Sequence, residues 1–336
     1  MLNEIFFFVK KLTFKKVVNA ISVYVSYFLS VLFKIPLRSG YPPGISTEPV
    51  AKCNLHCPEC PAGTGKLNRY DGNIDFELFK KVIDEFAPYL TSLMLYFQGE
   101  PFLNKDIFRL TEYASLNKNI YTVCSTNGHF LSEEFAEKII LSGLDKIIIS
   151  LDGTNQETYE KYRKGGSFDT VVKGIENLVK MRKKMKSERP FIVIQFLVFK
   201  FNEHEINAIK QLRKKSGADK LELKSAQIYD FKNREDLIPG IKKYARYKKN
   251  KSGDYEIKSK LKNRCKRLWE TCVITNNGDV LPCCFDKNAD YVFGNMRTVT
   301  FKEINNNEKS VSFRKKLLKN RSEIDICRNC TEGLKK

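Results

Sequence analysis

Apolar and polar positions recur along this chain with two periods, and these periods predict its secondary structure. Short runs rich in Ile and Val, as at 146–151 and 191–199, indicate buried strands. Segments in which apolar residues return every three or four positions, as at 168–184, indicate amphipathic helices. The two kinds of segment alternate with short connections between them. Such alternation predicts an α/β fold in which helices cover a parallel sheet.

Six strand–helix units can be placed in this way between residues 45 and 224. Chemistry in sheets of this kind is located at the carboxyl ends of the strands, so residues that follow a strand are the first candidates for a site. Asp75 is expected to cap the first helix of the series. The predicted strands are 45–51, 92–97, 121–125, 146–151, 191–199 and 220–223, and the predicted helices are 75–86, 105–116, 133–142, 156–162, 168–184 and 203–215.

Composition indicates the cellular compartment of the protein and the kinds of partner that it binds. A chain of 336 residues can bury a large core, and its ten cysteines gather mainly in two places. With no evident cleavable secretory signal, this clustering favours metal ligands in a reducing, anaerobic cytoplasm over disulfides. The net charge of +20 suits acidic partners such as nucleic acid, anionic lipid or phosphorylated substrates. No nucleic-acid-binding motif accompanies the charge, so we do not expect a nucleic-acid partner.

The first 44 residues are apolar and basic and differ from the rest of the chain. The uncharged run 17–33 contains several Ser and Tyr residues, which makes it short and polar for a transmembrane helix. Lysines alternate with apolar residues just before it, which is typical of a segment lying on an anionic membrane face. A peripheral contact of residues 1–40 with the inner face of the membrane is therefore one interpretation. A helix packed on the rest of the protein, or at a dimer contact, is the other.

Three cysteines in one short loop carry the strongest chemical signal. Cys53, Cys57 and Cys60 have the spacing C-x3-C-x2-C, and no further cysteine follows until Cys124. Three thiolates can hold three corners of a cubic iron–sulfur cluster, which leaves one iron open to a small molecule. Structural zinc is the alternative, although zinc is usually held by two C-x2-C pairs. The surrounding sequence E-P-V-A-K-C-N-L-H-C-P-E-C-P resembles the cluster loop of the radical S-adenosylmethionine (radical SAM) enzymes, apart from Glu59 at a position that is often aromatic.

This resemblance implies a partial (β/α)6 TIM-like barrel and a binding site for S-adenosylmethionine at the strand ends. Gln98-Gly99-Glu100-Pro101 is similar to the Gly-Gly-Glu-Pro motif of the family, which binds the amino group of the cofactor. A polar turn or a helix cap is the alternative for several of these strand-end residues. The family pattern further implies a lining role for Thr126 and Asn127, ribose contacts for Ser150 and Asp152, a cofactor carboxylate contact for Arg163, and a ribose or substrate contact for Gln195.

A second group of cysteines lies between residues 265 and 330 and resembles the SPASM/twitch auxiliary domain. By that resemblance Cys265, Cys283, Cys327 and Cys330 hold one auxiliary [4Fe-4S] cluster, with Cys284 left open as a substitute for Cys283. Zinc is again the rival. Asn276-Asn277-Gly278-Asp279 predicts a hairpin turn that joins strands at 272–275 and 280–282. Cys124 and Cys272 lie in apolar strands and are interpreted as core residues.

These observations predict four regions: 1–44, the barrel at 45–224, a linker at 225–260, and the auxiliary domain at 261–336. The expected function is reductive cleavage of S-adenosylmethionine and abstraction of a substrate hydrogen. Oxidation of an alcohol or carbohydrate-like small molecule is the first hypothesis, and peptide modification is the second. A non-catalytic iron–sulfur or zinc electron carrier remains as an alternative from another class. A flavodoxin or ferredoxin is the expected electron donor, and no catalytic acid or base can be assigned.

Overall fold

The strands form one large sheet and one small hairpin in the computed structural model, which describes residues 2–330. Strands β1 to β6 are parallel, and each pairs with the next along the chain. The strands are β1 (Gly44–Thr47), β2 (Ser92–Met94), β3 (Tyr121–Thr126), β4 (Lys146–Ser150), β5 (Phe191–Val198), β6 (Lys220–Ser225), β7 (Tyr247–Lys249), β8 (Tyr255–Ile257), β9 (Thr271–Ile274), β10 (Asp279–Leu281) and β11 (Gly294–Asn295).

Helices α3 to α8 connect the parallel strands, so the barrel predicted from the alternating pattern is confirmed. Its core is apolar, and Asp75 caps α3 by accepting a hydrogen bond from the Leu78 amide. The helices are α1 (Leu2–Lys10), α2 (Phe14–Phe33), α3 (Phe76–Phe86), α4 (Ile107–Glu112), α5 (Glu133–Leu141), α6 (Gln156–Tyr162), α7 (Phe168–Lys184), α8 (Ile206–Ser216), α9 (Arg267–Glu270), α10 (Phe301–Asn306), α11 (Glu308–Asn320) and α12 (Asp325–Arg328).

The first two strands are shorter than the sequence predicts, and this shortening matters for the site. β1 ends at Thr47 and β2 ends at Met94. The next residue after β1, Glu48, is fully buried and accepts hydrogen bonds from the Gln98 amide and the Arg69 guanidinium. These side-chain bonds replace the strand ladder, so the chain leaves the sheet early and forms the loops that follow.

The carboxyl-terminal hairpin is confirmed, and it extends the barrel sheet. β9 pairs in parallel with β1, with Gly44 opposite Thr271, and β10 pairs antiparallel with β9. The auxiliary region is therefore continuous with the barrel through backbone hydrogen bonds. Segment 225–260 is not an irregular linker as the sequence suggested. It contains the hairpin β7–β8 and buries Ile228, Leu237 and Tyr247, whose irregular spacing among charged residues gave no periodic signal.

Helices α1 and α2 lie at the amino ends of the barrel strands. The Lys11 ammonium between them donates to the Ile120 carbonyl, just before β3, and forms a 2.6 Å ion pair with the buried Asp145, just before β4. Asn19 of α2 donates to the Tyr41 carbonyl ahead of β1. Within residues 2–330, α2 is the one helix whose length and composition would allow it to cross a membrane. Both helices are thus on the side of the barrel away from the strand ends that carry the cysteine loop.

Candidate active site

The cysteine loop follows β1 and places its three thiols around one end of a cavity. Cys53, Cys57 and Cys60 all line that cavity, and the loop is closed by a hydrogen bond from the Cys60 amide to the Cys57 carbonyl. The Leu55 amide donates to the Cys53 sulfur at 3.5 Å, and the Arg163 guanidinium lies 3.9 Å from the Cys57 sulfur. Burial raises the pKa of the Cys53 thiol to about 11. A metal centre bound here would favour the thiolate form of Cys53 at neutral pH.

The turn after β2 packs directly on the cysteine loop. Gly99 has a φ of +73°, and a side chain there would collide with the Val50 and Lys52 carbonyls. The following amide of Glu100 donates to the Lys52 carbonyl at 2.8 Å. Glycine is needed at this position because the two loops are in backbone contact. The amide oxygen of Gln98 lies 3.9 Å from the Cys60 sulfur, so the residue that replaces a family glycine contacts the cluster loop.

Burial strongly affects the carboxyl group of Glu100. It is buried, and it accepts hydrogen bonds from the Thr126 hydroxyl and the Asn127 amide, each at 2.7 Å. Burial raises its pKa to about 7, although the hydrogen bonds oppose this change. A cationic ligand group beside it would restore the ionised form. The arrangement suits the amino group that the family resemblance assigns to this motif.

Asp152 and Arg163 form a buried ion pair at the edge of the cavity. The Arg163 Nε donates to one Asp152 oxygen at 2.7 Å, and the Leu197 amide donates to the other at 2.6 Å. Burial raises the pKa of Asp152, and the Arg163 cation opposes this change. In turn, the Asp152 carboxylate raises the pKa of Arg163 well above its usual value, although burial alone would lower it. Both oxygens of Asp152 are used, so its position suits a group that orients Arg163 better than a ribose ligand.

The cavity at the strand ends has a volume of about 350 Å³. Of the cofactor residues suggested by the sequence, the three that do not line it are Pro101, Asp152 and Gln195. Leu197 takes the position expected for Gln195, two residues further along β5. The predicted residues that do line the cavity are Gln98, Gly99, Glu100, Thr126, Asn127, Ser150 and Arg163.

Several lining residues were not found from the sequence. Ser225 ends β6, so the strand-end rule could have found it. Tyr96 lies near the end of the predicted strand 92–97, so the same rule covers it. Gln227, Arg246 and Lys287 come from loops outside the predicted strands, and the sequence gives no signal for them. Arg246 and Lys287 lie far along the chain from the barrel motifs. They reach the cavity because the segment after β6 and the auxiliary region fold back over it.

The four predicted auxiliary ligands, Cys265, Cys283, Cys327 and Cys330, line one small pocket. Burial raises the pKa of the Cys265 thiol to about 11. The Arg321 guanidinium is buried among them and donates to the Cys330 sulfur at 3.2 Å. A buried cation beside four sulfurs favours thiolates and offsets the negative charge of a cluster held by them.

Cys283 and Cys284 point to different places. Cys283 lines the auxiliary pocket, whereas the Cys284 sulfur accepts a hydrogen bond from Arg267 at 3.0 Å and does not line that pocket. The structure therefore favours Cys283 as the ligand. Cys124 and Cys272 are buried in the apolar core, as predicted. In residues 2–330 no group of three or more His, Cys, Asp or Glu side chains is placed to hold a single metal ion.

Known families match both regions. The model of the radical SAM superfamily matches residues 47–212, and the model of an iron–sulfur cluster-binding domain, SPASM, matches residues 265–331. The matched segments contain both cysteine groups that the structure assembles. The chain therefore belongs to the radical SAM superfamily and carries a SPASM domain, and its cofactors are S-adenosylmethionine and [4Fe-4S] clusters.

The curated relatives are named for different activities. The AdoMet-dependent heme synthase of Methanosarcina barkeri is 32% identical over 175 residues, which are 52% of this chain and 48% of the relative. The mycofactocin maturase MftC of Mycolicibacterium smegmatis is 34% identical over 126 residues, 38% of this chain and 31% of the relative. The chain thus spans about half or less of the length of these curated relatives.

Solved structures share the fold at low identity. BtrN in complex with AdoMet and 2-DOIA superposes with a TM-score of 0.54 at 20% identity, covering 87% of this chain and 94% of BtrN. Streptococcus suis SuiB bound to S-adenosylmethionine gives a TM-score of 0.63 at 15% identity, covering 88% and 74%. At these identities the likeness establishes the barrel and its appended domain as a shared fold.

Proposed function

We propose that this radical SAM enzyme is an oxidoreductase that dehydrogenates a small alcohol or carbohydrate-like molecule carrying an acidic group. When bound, the clusters and S-adenosylmethionine would supply a 5′-deoxyadenosyl radical that abstracts a hydrogen atom and an acceptor for the remaining electron, while the hydroxyl proton is lost to solvent. Cys53, Cys57 and Cys60 would hold the first cluster. Glu100 and Arg163 would orient the amino acid part of the cofactor. The number of available cysteines fits one auxiliary cluster. Apart from its four ligands, the SPASM region contains only Cys272, which is buried in the core, and Cys284, which bonds to Arg267 outside the pocket.

The observation that supports an acidic substrate is a pair of basic side chains at the cavity wall. Arg246 is 8% exposed, its guanidinium donates to the Asn329 carbonyl at 3.3 Å and lies beside the Tyr247 side chain, and its Nε has no hydrogen-bond partner among the described residues. Lys287 lines the same cavity beside the Tyr229 ring. Neither side chain forms an ion pair with a carboxylate in residues 2–330. Buried cations of this kind are stabilised by an anion, such as a carboxylate or phosphate group of the substrate.

Peptide modification is the second candidate, and one feature of the surface supports it. A groove of about 430 Å³ lies outside the cysteine loop and shares Glu59 and Cys60 with the cavity. Its wall includes Tyr229, Asp230 and Arg234, which offer both aromatic and charged contacts to an extended chain. The relative MftC is named a maturase. A peptide lying in this groove would bring one side chain to the cavity.

Anaerobic reconstitution tests the proposal. We expect about eight irons per chain, and 5′-deoxyadenosine formation with dithionite that an acidic sugar such as a sugar phosphate stimulates more than its neutral parent. Arg246→Gln should raise the KM for the acidic sugar and leave the basal cleavage of S-adenosylmethionine unchanged. Stimulation by peptides alone would favour the second candidate. Full iron content without any nucleoside product would instead indicate an electron carrier.

We further propose a flavodoxin or ferredoxin as the physiological electron donor. The net charge of +20 supports this pairing, because positive surface charge accelerates encounter with an acidic protein. Replacing dithionite by a reduced flavodoxin should sustain 5′-deoxyadenosine formation at low ionic strength, and added salt should slow it. A rate that does not change with salt would contradict the role assigned to the charge.

A further inference from the structure

The polarity of helix α2 is the reverse of that in an ordinary surface helix. The side that faces the protein carries Lys16, Asn19, Ser26 and Ser30, and all four side chains are buried. The side that faces outward is almost entirely apolar. Its most exposed members are Phe14 (87%), Phe28 (66%), Leu32 (60%), Phe33 (59%) and Ile21 (57%).

The inward polar side chains fasten α2 to the barrel. The Lys16 ammonium donates to the Lys11 and Asn119 carbonyls, at 3.0 and 2.8 Å. Asn19 bonds to the Tyr41 backbone through both its oxygen and its nitrogen. These bonds hold the first two turns of α2, and further along the helix Tyr27 packs edge-on against Trp269. The helix therefore lies on the barrel, although its length alone would allow it to cross a membrane. Its apolar side therefore forms a surface and not a span.

Helix α1 widens this surface. Ile5, Phe6 and Val9 are each more than half exposed, while Phe8 packs edge-on against Tyr121 and so ties the helix to the barrel. We define the outward apolar residues of α1 and α2 together as the amino-terminal apolar face. Contiguous exposed apolar surface of this extent marks an interaction site.

Charge identifies the partner of this face. Residues 5–47 contain six basic side chains and no acidic one, and the basic residues Lys10, Lys15 and Lys34 are exposed at the margins of the face. A symmetric contact between two copies would bring these like charges together. An anionic lipid surface instead attracts them and accepts the apolar side chains between them.

We propose that the amino-terminal apolar face docks the protein on an anionic bilayer at the cytoplasmic surface, with α2 parallel to the membrane. The face lies at the amino ends of the barrel strands, opposite the cavity at their carboxyl ends. The mouth of the active site then opens toward the aqueous phase. If the proposed function holds, the enzyme acts on a water-soluble substrate that approaches from that side.

Vesicle co-sedimentation of the anaerobically reconstituted full chain tests the docking. We expect binding to vesicles of equal parts phosphatidylglycerol and phosphatidylcholine, weaker binding to phosphatidylcholine alone, and loss of binding in high salt. The double change Lys15→Glu and Lys34→Glu should weaken binding by about tenfold or more. Phe28→Ser with Leu32→Ser should also abolish most of it.

A matched control separates this face from general surface hydrophobicity. Leu141→Ser removes a leucine of α5 that is as exposed (62%) as Leu32 (60%) but lies outside the face, and it should leave binding unchanged. Basal 5′-deoxyadenosine formation in solution should be the same in all variants, so failure of docking can be told from failure of the proposed function. Alkaline carbonate should release the bound protein.

Three results would overturn the proposal. The wild-type chain could stay in solution with anionic vesicles. Sedimentation velocity could show a dimer that Phe28→Ser with Leu32→Ser dissociates, which would identify a second copy as the occupant. Retention after alkaline carbonate would show that α2 leaves the barrel and spans the bilayer.

Discussion

The buried ion pair between Asp152 and Arg163 gives the sharpest test of the site. In Asp152→Asn the side chain keeps its shape and can still accept from the Leu197 amide, but the charge opposite Arg163 is lost. The side chain of Asp152 is fully buried and that of Arg163 is 13% exposed. Removing one partner of a buried pair costs about 3–5 kcal/mol, because the remaining charge stays desolvated.

This loss can be expressed as a change in Tm. An unfolding entropy of about 2.1 cal/mol/K per residue gives about 0.7 kcal/mol/K for 336 residues, so we expect Tm to fall by about 4–7 °C. Circular dichroism under anaerobic conditions measures this change. Adding Arg163→Met to the variant removes the unpaired cation, so the double variant should lose less than the two single losses combined.

A solvent-exposed pair on the neighbouring helix serves as the control. Glu157 pairs with Lys161 one turn away in α6, and their side chains are 84% and 48% exposed. Exposed pairs contribute about 0–1 kcal/mol, so Glu157→Gln should lower Tm by little more than about 1 °C. Equal Tm values for Asp152→Asn and Glu157→Gln, or additive losses in the double variant, would refute the account of a buried, coupled pair.

Three further predictions concern the clusters, the pH dependence and the amino-terminal helices. Cys283→Ala should lower iron from about eight to about four per chain, whereas Cys284→Ala should leave it unchanged; the reverse result would exchange their roles. Burial raises the pKa of Glu100 from 4.5 to about 7, so the folded state holds a proton that the unfolded state has lost. The stability of the cofactor-free protein should therefore fall as pH rises from about 4.5 through 7. Measurements of Tm across that range should show a smaller fall in Glu100→Gln than in the wild type. Lys11→Met leaves Asp145 with the Arg189 guanidinium, at 3.0 Å, as its one ionic partner among residues 2–330. Proteases should then release α1 and α2 faster than from the wild type, and equal rates would count against the ion pair as the anchor.

The parallel barrel, the cysteine loop and the hairpin of the auxiliary region were all predicted from the sequence. Each depends on local information: a periodic pattern, a fixed cysteine spacing or an Asn-Gly turn. Residues at strand ends, such as Asn127 and Ser150, were placed correctly for the same reason. The sequence did not place Asp152 and Gln195 correctly. A shift of two residues along a strand keeps a side chain on the same face of the sheet and changes only how near it lies to the strand end. The sequence pattern does not encode that distance.

Cysteine spacing and its sequence context thus determined the class of this protein, because three thiols lie in one short loop. The four auxiliary cysteines lie on separate segments, and only the fold brings them into one pocket. Tertiary structure decided what surrounds them. Arg246 and Lys287 reach the cavity only because distant segments cross over it, and β9 joins the barrel sheet only through pairing with β1. The outward apolar side of α2 is likewise visible only in the fold. The periodic pattern indicates that a helix has an apolar and a polar face. Only packing determines which of the two faces contacts the protein.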